Sequence, residues 1–402
     1  MDAQAGLERS THPQYDYPRL EIMGPGKRTM KTKAAVLYEF GADMAIEEIE
    51  LDEPKDKEVL LRIGAAGVCR SDLHVARGPS GMTLPVVLGH EASAVVEQIG
   101  PGVSRVKPGD RVVLSWSPAC GHCFYCHEGF PVQCEVNAEA GAAGGLWDGT
   151  SRLHSEARGR ITHFACQSSY AEFAVMPETG CMPIAPEISL EIAAIVGCAV
   201  TTGFGAAIND AHIRPGGSIA IWGIGGVGIS AVLGAVQAGA ARIIVVDPNP
   251  RKEAVAKSFG ATDYIDPNKT NDVPAAIREL THGRGADSAI DSSGTAAGFE
   301  QGYESIRPAG TLVAVGQARG GVNVTIREAG QLPTYQKRII GSYYGGGVPE
   351  RDFQLIFDLY LAGKLDLDAM IGKTIPLEGV NDAFRELEAG IDTRTVISFG
   401  IE

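Results

Sequence analysis

Between Gly67 and Glu91 the chain reads GVCRSDLHVARGPSGMTLPVVLGHE, 25 residues that hold the Cys69 thiol, the Ser71 hydroxyl, the imidazoles of His74 and His90 and the carboxylates of Asp72 and Glu91. A thiolate and an imidazole nitrogen are the donors that a borderline-soft zinc ion prefers. Asp72 and Glu91 are of the type that orients such ligands from behind. Ser71, which both donates and accepts, and His74, which titrates near neutral pH, have the chemistry of a short proton wire. Taken alone, a Cys and a His 21 residues apart fit a buried thiol and a hydrogen-bonded core histidine equally well.

A second cluster follows in CGHCFYCHEGFPVQC, where Cys120, Cys123, Cys126 and Cys134 are separated by 2, 2 and 7 residues. Four thiolates at such spacing converge tetrahedrally on one zinc and leave no open coordination position, so the ion would be structural. An iron–sulfur cluster is the rival. Its usual run places the fourth Cys three residues after the third and before a Pro, whereas Cys134 comes late and precedes Glu135.

The third chemistry-bearing stretch is SIAIWGIGGVG followed by a helix-like run and RIIVVD. Gly223, Gly225 and Gly228 satisfy G-x-G-x-x-G, and Asp247 stands 19 residues beyond the last glycine. Strand, glycine turn, helix and an acid at the end of the next strand together are the fingerprint of a dinucleotide site. The glycines admit a pyrophosphate to a helix N-terminus, and the acid takes the ribose hydroxyls.

These residues need elements to carry them. Residues 1–30 show no sustained period and are expected to be a poorly ordered extension. From Lys33, short runs (AAVLY, EVLLRIG, SAVVEQIG, DRVVLS) broken by Pro and Gly predict an all-β, barrel-like unit. Helical patterning at Leu190 to Val196 is expected to end on Gly197-Cys198, with another helix opening at Thr201, Thr202 and Gly203. From Gly217, strands and helices alternate through EAVAKSFG, DYID, Val273 to Leu280, ADSAIDSSG and GTLVAVG, which predicts a doubly wound parallel sheet of about six strands. Two amphipathic helices, FQLIFDLYLAGKL and VNDAFRELEAG, and a strand TVISFG close the chain.

At 402 residues two or three domains are expected. A net charge of −14 argues against a nucleic-acid partner, whose phosphates attract clustered Lys and Arg. Residues 1–30 have no apolar core of a signal peptide, so the eight cysteines are expected in a reducing cytoplasm, where metal binding outweighs disulfides. Ile219 to Ala241 runs 23 residues without a charge. Its glycines and its change of period at Gly223 fit a buried strand and helix better than a membrane span.

GVCRSDLH, LGHE, the four-cysteine lobe, GCAVTTGFGA, WGIGGVG, VVDPNPRK and TRTVISF together resemble the zinc-dependent alcohol dehydrogenases of the medium-chain dehydrogenase/reductase family, over nearly the whole chain from about Lys31. The resemblance implies a GroES-like catalytic domain (31–199 and 345–402) around a Rossmann domain (200–344). It implies that Cys69, His90 and Cys198 bind a catalytic zinc, oriented by Asp72 and Glu91, and that the cysteine lobe binds a second. Ser71 would take the substrate's hydroxyl proton and His74 would relay it. Arg70 and Arg394 would meet the coenzyme pyrophosphate. Thr202 and Val227 would border the nicotinamide, with Gly226 in the turn, and Lys252 would join Asp247 at the ribose. Trp116 and Phe164 would line an apolar slot. The long segment between Cys134 and Cys198 is similar to that of dimeric members, so a homodimer is expected.

The expected reaction is reversible oxidation of a primary or aromatic alcohol with NAD, since a 2′-phosphate would face Asp247. The alternative is the S-(hydroxymethyl)glutathione branch, whose members hold the adduct's charges with acids before LGHE and a base after the fourth lobe cysteine. Here VARGPSGMTLPVV has no acid, and Glu135, Val136, Asn137 and Ala138 include no base. A zinc-free reductase would need neither cysteine set, and a nucleic-acid-binding zinc ribbon would present Lys or Arg between Cys120 and Cys134, where there are none.

Overall fold

The computed structural model describes residues 21–22, 28–78, 81–318, 320–390 and 394–401. Strand Arg28–Leu37 pairs antiparallel with Ala45–Asp52, and the ladder continues through Leu153–Ser155, Gly159–His163 and Val86–Val87, which pairs back onto Arg28–Leu37. Five strands therefore close on themselves, which removes the free edges that an open sheet exposes. Glu21–Ile22 adds to the outside, with Glu21 opposite Thr29. The expected extension does not reach residue 30. The first barrel strand starts at Arg28 and already has a partner at residues 21–22, because RTMKTKAAVL holds strand character further back than its apolar half alone signals. The rest of that expectation, residues 1–20 and 23–27, lies outside the described residues.

A second, seven-stranded sheet centres on Glu58–Gly67, which pairs with Ala92–Ile99, Phe173–Pro177 and Thr395–Ser398. This strand reads EVLLRIGAAG and is buried at all positions but one, as a strand covered on both faces should be. It delivers the chain to Cys69. The C-terminal strand lies beside it, Val396 opposite Gly67, and so brings Arg394 to the same end.

The third sheet is wholly parallel, ordered Asp263–Ile265, Arg242–Val246, Ser218–Trp222, Ala286–Asp291, Ile306–Ala314, Arg338–Gly341. Numbered along the chain this is 3-2-1-4-5-6, the doubly wound order in which ligands bind at the switch point beyond the carboxyl ends of the first and fourth strands. Its sixth strand, RIIG, is too short and too exposed to have stood out in the sequence. The uncharged run from Ile219 divides as expected into strand Ser218–Trp222 and helix Gly226–Gln237.

One expectation about the helices fails. Leu190–Asp210 is a single helix of 21 residues with π turns at Val196–Val200 and Ala206–Asp210, and Gly197-Cys198 does not end it. Gly197 serves close packing instead, since a Cβ there would lie 2.8 Å from the Leu114 carbonyl oxygen. This helix is long and apolar enough to cross a membrane, but 83% of its most apolar window is buried inside the fold. It packs in one core with Val113 and Ile188 on one side and Ile219, Ile221 and Phe353 on the other. The expected boundary between residues 199 and 200 thus falls inside a helix shared by both units.

Candidate active site

Cys69 stands at the N-terminus of helix Arg70–Arg77, His90 follows the short strand Val86–Val87, and Cys198 lies in the π turn Val196–Val200. All three are buried, and their ligand atoms lie within 4.8 Å of one another. His90 Nε2 is 3.3 Å from Cys198 Sγ. Two sulfurs and a nitrogen around a tetrahedral zinc would be about 3.6 to 3.8 Å apart, so the cluster fits that ion with little adjustment.

Asp72 fixes the imidazole. Its Oδ1 accepts from the Gly89 amide at 2.9 Å and lies 3.1 Å from His90 Nδ1, while Oδ2 accepts from the Tyr170 hydroxyl at 3.1 Å. With Nδ1 donating to Asp72, Nε2 is left to offer its lone pair to a metal. Burial pulls the His90 pKa down, but the charges of Asp72 and Cys69 overcome it and hold the group well above the ordinary histidine range, so a metal ion at Nε2 would take the place of a proton. Cys69 is held well below the ordinary thiol range, first by a hydrogen bond from the Cys198 thiol and then, against burial, by His90. The pocket therefore stabilises a thiolate, the form that binds metal.

Glu91 lies fully buried behind the cluster. Its Oε2 accepts from the Ala199 amide at 3.2 Å and pairs with Arg394, while Oε1 has no hydrogen-bond partner among the described residues. Burial pushes its pKa up to about 7 against the pull of Arg394. Gly67 makes room for it, since a Cβ there would come within 2.1 Å of Oε1. One carboxylate thus follows His90 in the chain and bonds the amide next to Cys198.

Ser71 and His74 share the helix begun by Cys69. Three residues apart, they fall on one face and are partly exposed, while Asp72, Leu73, Val75 and Ala76 turn inward. Phe164 meets the His90 ring edge-on at 5.5 Å and Trp116 does so at 6.4 Å. Trp116 in turn stacks on Tyr344 at 4.2 Å and meets Tyr343 edge-on at 5.0 Å. Neither tyrosine was foreseen, although YYGGG, adjacent aromatics before three glycines, was a visible signal. Tyr170 was also missed, and nothing local marks it, because its contact with Asp72 spans 98 residues.

On the dinucleotide side, Gly223 has φ 83° and packs on Ser293, and a Cβ on Gly228 would lie 1.9 Å from the Gly223 carbonyl oxygen. These are the tight turn and the close helix–strand approach of the fingerprint. Gly225 caps helix Gly226–Gln237, whose first amides face the turn. A Cβ on Gly203 would lie 2.0 Å from the Val227 carbonyl oxygen, which puts Thr202 and Val227 on either side of one helix crossing. Asp247 is 3% exposed, and its oxygens accept from the amides of Ile224 at 2.7 Å and Asn249 at 2.9 Å and from Lys252 Nζ at 3.2 Å. The carboxylate meant for the ribose thus also braces its own loop. Arg394 lies against Glu91 and 2.8 Å from the Cβ that Gly226 lacks, hence beside the turn. Arg70 points outward and donates to the Leu387 carbonyl at 3.1 Å.

The lobe sulfurs form the other cluster, with Cys120 and Cys126 at 4.0 Å, Cys123 and Cys134 at 3.9 Å and all four within 4.8 Å. A disulfide needs about 2.05 Å, whereas four thiolates on one zinc stand about 3.8 Å apart. Amides of His122 and Cys123 point at Cys120 Sγ at 3.4 and 3.3 Å, and that of Cys120 at Cys134 Sγ at 3.3 Å, as amides do around metal-bound thiolates.

Residues 55–186 match the family described as alcohol dehydrogenase GroES-like domain, and residues 226–362 match zinc-binding dehydrogenase. The chain belongs to the zinc-binding alcohol dehydrogenases of the medium-chain type. It is 37% identical over 376 residues to alcohol dehydrogenase B of Mycobacterium tuberculosis, covering 92% of this chain and 99% of the relative. It is 38% identical over 374 residues to the NDMA-dependent alcohol dehydrogenase of Amycolatopsis methanolica, again covering 92% and 99%. Among solved structures, benzyl alcohol dehydrogenase from Acinetobacter calcoaceticus superposes with a TM-score of 0.86 at 32% identity, over 92% of this chain and 99% of that one. The protein is an oxidoreductase of alcohols.

Proposed function

We propose that the enzyme interconverts primary or aromatic alcohols and aldehydes, with NAD as the hydride carrier. The observation that carries this reading is the buried Cys69–His90–Cys198 cluster, with Trp116 and Phe164 set edge-on against its histidine. Cys69, His90 and Cys198 would hold the zinc, which would supply Lewis acidity to the substrate's hydroxyl oxygen; a drop of about 8 units in its pKa, as for zinc-bound water, would favour loss of that proton by about 11 kcal/mol. The protein supplies the remainder. Ser71 accepts the hydroxyl proton and His74 passes it toward solvent, while Trp116 and Phe164 keep water from the reacting carbon. The Gly223–Gly228 turn and the helix N-terminus receive the pyrophosphate, Thr202 and Val227 flank the nicotinamide, and Asp247 with Lys252 takes the ribose.

Asp247 supports NAD over NADP, because a phosphate on the ribose would stand against a carboxylate. At 4 Å and an effective dielectric of about 20 such a pair repels by about 4 kcal/mol. The absence of acids in the loop VARGPSGMTLPVV and of bases just after Cys134 speaks against a glutathione adduct as substrate. The long segment from Cys134 to Cys198 supports a homodimer, and eight free cysteines suit a reducing cytoplasm.

The test is initial rates on ethanol, hexanol, benzyl alcohol and S-(hydroxymethyl)glutathione, with NAD, NADP and, because a relative bears that dependence in its name, NDMA as separate arms. Benzyl alcohol or hexanol should lead in kcat/KM. A tenfold advantage for the glutathione adduct would overturn the substrate reading, and equal efficiency with NAD and NADP would overturn the coenzyme reading.

A further inference from the structure

We infer that Tyr344 is a positioning residue for the metal cluster, its hydroxyl holding the Gly197 carbonyl beside Cys198 while its ring holds Trp116. This rests on the reading of Cys69, His90 and Cys198 as zinc ligands.

Tyr344 is 2% exposed and has φ 55°, a conformation costly for a bulky aromatic. Gly345 and Gly346 continue in the same region at 78° and 65°. The turn is locked against helix Leu190–Asp210 by contacts only glycine permits. A Cβ on Gly345 would lie 2.4 Å from the Thr201 carbonyl oxygen, and one on Gly205 would lie 2.6 Å from that of Gly345. Tyr344 is thereby fixed at the point where the long helix widens into the π turn that carries Cys198.

Such a turn departs from the regular i→i−4 ladder, and side-chain hydroxyls bond its carbonyls. Thr201 Oγ1 donates to the Val196 carbonyl at 2.7 Å, and the Tyr344 hydroxyl donates to that of Gly197. On the far side, the Ala199 amide is held by Glu91. Cys198 is therefore bracketed, its preceding carbonyl held by Tyr344 and its following amide by Glu91. The Tyr344 ring stacks on Trp116, planes 29° apart, and Trp116 meets the ring of His90. One side chain thus reaches the element that carries Cys198 and the aromatic wall beside His90. A phenylalanine would fill the same space but would leave the buried Gly197 carbonyl without its partner, so the hydroxyl is what the role requires.

The test compares Tyr344→Phe with Phe353→Leu, which alters a ring 6.3 Å from that of Tyr344 without removing the bond to Gly197. Both are prepared with zinc and, separately, with Co(II) in the catalytic cluster. Tyr344→Phe should shift the cobalt d–d bands, release catalytic metal to a chelator about tenfold faster and lower kcat about tenfold with KM within about twofold, the usual scale for groups behind a metal ligand. Lobe metal should leave at the parent's rate. Phe353→Leu should lower Tm and change neither the spectrum nor the release. A Tyr344→Phe enzyme with the parent's spectrum and release rate would overturn the inference while leaving the ligand assignment standing, as would equal changes in Phe353→Leu. A parent enzyme that takes up no cobalt outside the lobe would remove the ligand reading and this inference together.

Discussion

Asp72 has no accessible surface and holds three partners, the Gly89 amide, His90 Nδ1 and the Tyr170 hydroxyl. Its work is to choose the tautomer and angle of one ligand. Asp72→Asn keeps the shape but loses the charge that favours a protonated Nδ1, so catalytic zinc should bind about 10- to 100-fold more weakly. Chelator competition measures this, with lobe zinc as the internal reference, and unchanged affinity would deny Asp72 that role. The residue types at this site were legible, because few chemistries use a thiol, an imidazole and flanking carboxylates together. Their partners were not. Tyr170 and Tyr344 reach the site through packing between segments about 100 or more residues apart, and Arg394, expected at the pyrophosphate, spends its charge on Glu91 as well.

Among the elements, strand Gly159–His163 carries a histidine of a different kind. His163 is 1% exposed and accepts from the Arg152 amide through Nε2 at 3.1 Å. Burial, with Arg152 and Arg160 nearby, lowers its pKa to about 3. In the unfolded chain it would titrate near 6.5, so between those values the unfolded state binds a proton that the folded state refuses. Stability should therefore fall as pH drops below about 6.5, by at most about 1.4 kcal/mol per pH unit for this one group. His163→Gln, which keeps an acceptor for the Arg152 amide, should flatten the unfolding free energy between about pH 4 and pH 6 by close to one proton. Denaturant titrations at several pH values check it, and parallel slopes for parent and variant would contradict it. Elements of strong period were readable, the helix Val273–Leu280 among them. The helix Leu190–Asp210 was not, because a glycine beside a cysteine reads locally as a stop, whereas here it admits the Leu114 carbonyl. Cys198 sits in the π turn that this glycine helps to form, Val196–Val200.

For the whole molecule, the arrangement is a closed barrel and a β sheet, a parallel doubly wound sheet, and between them a helix whose single core cluster takes in residues of both units. That fold was legible because the two halves use different periods, short punctuated strands first and strand–helix alternation after. The domain limits at 199/200 and 344/345 were harder, since the first cuts a helix. Coenzyme choice belongs to this scale. Asp247 closes the Ile224 and Asn249 turns as well as facing the expected ribose, so Asp247→Gly should narrow the NAD preference at least tenfold and weaken NAD binding itself. Dissociation constants for both coenzymes decide it, and an unchanged ratio would move the determinant elsewhere.

The proposed chemistry needs two separate metal clusters, one open to substrate and one closed. Elemental analysis of metal-replete protein tests this directly. Two zinc ions per chain are expected, one for each cluster, and Cys69→Ala should remove one while the other stays and the chain remains folded. One zinc per chain in the parent, retained unchanged in Cys69→Ala, would contradict it.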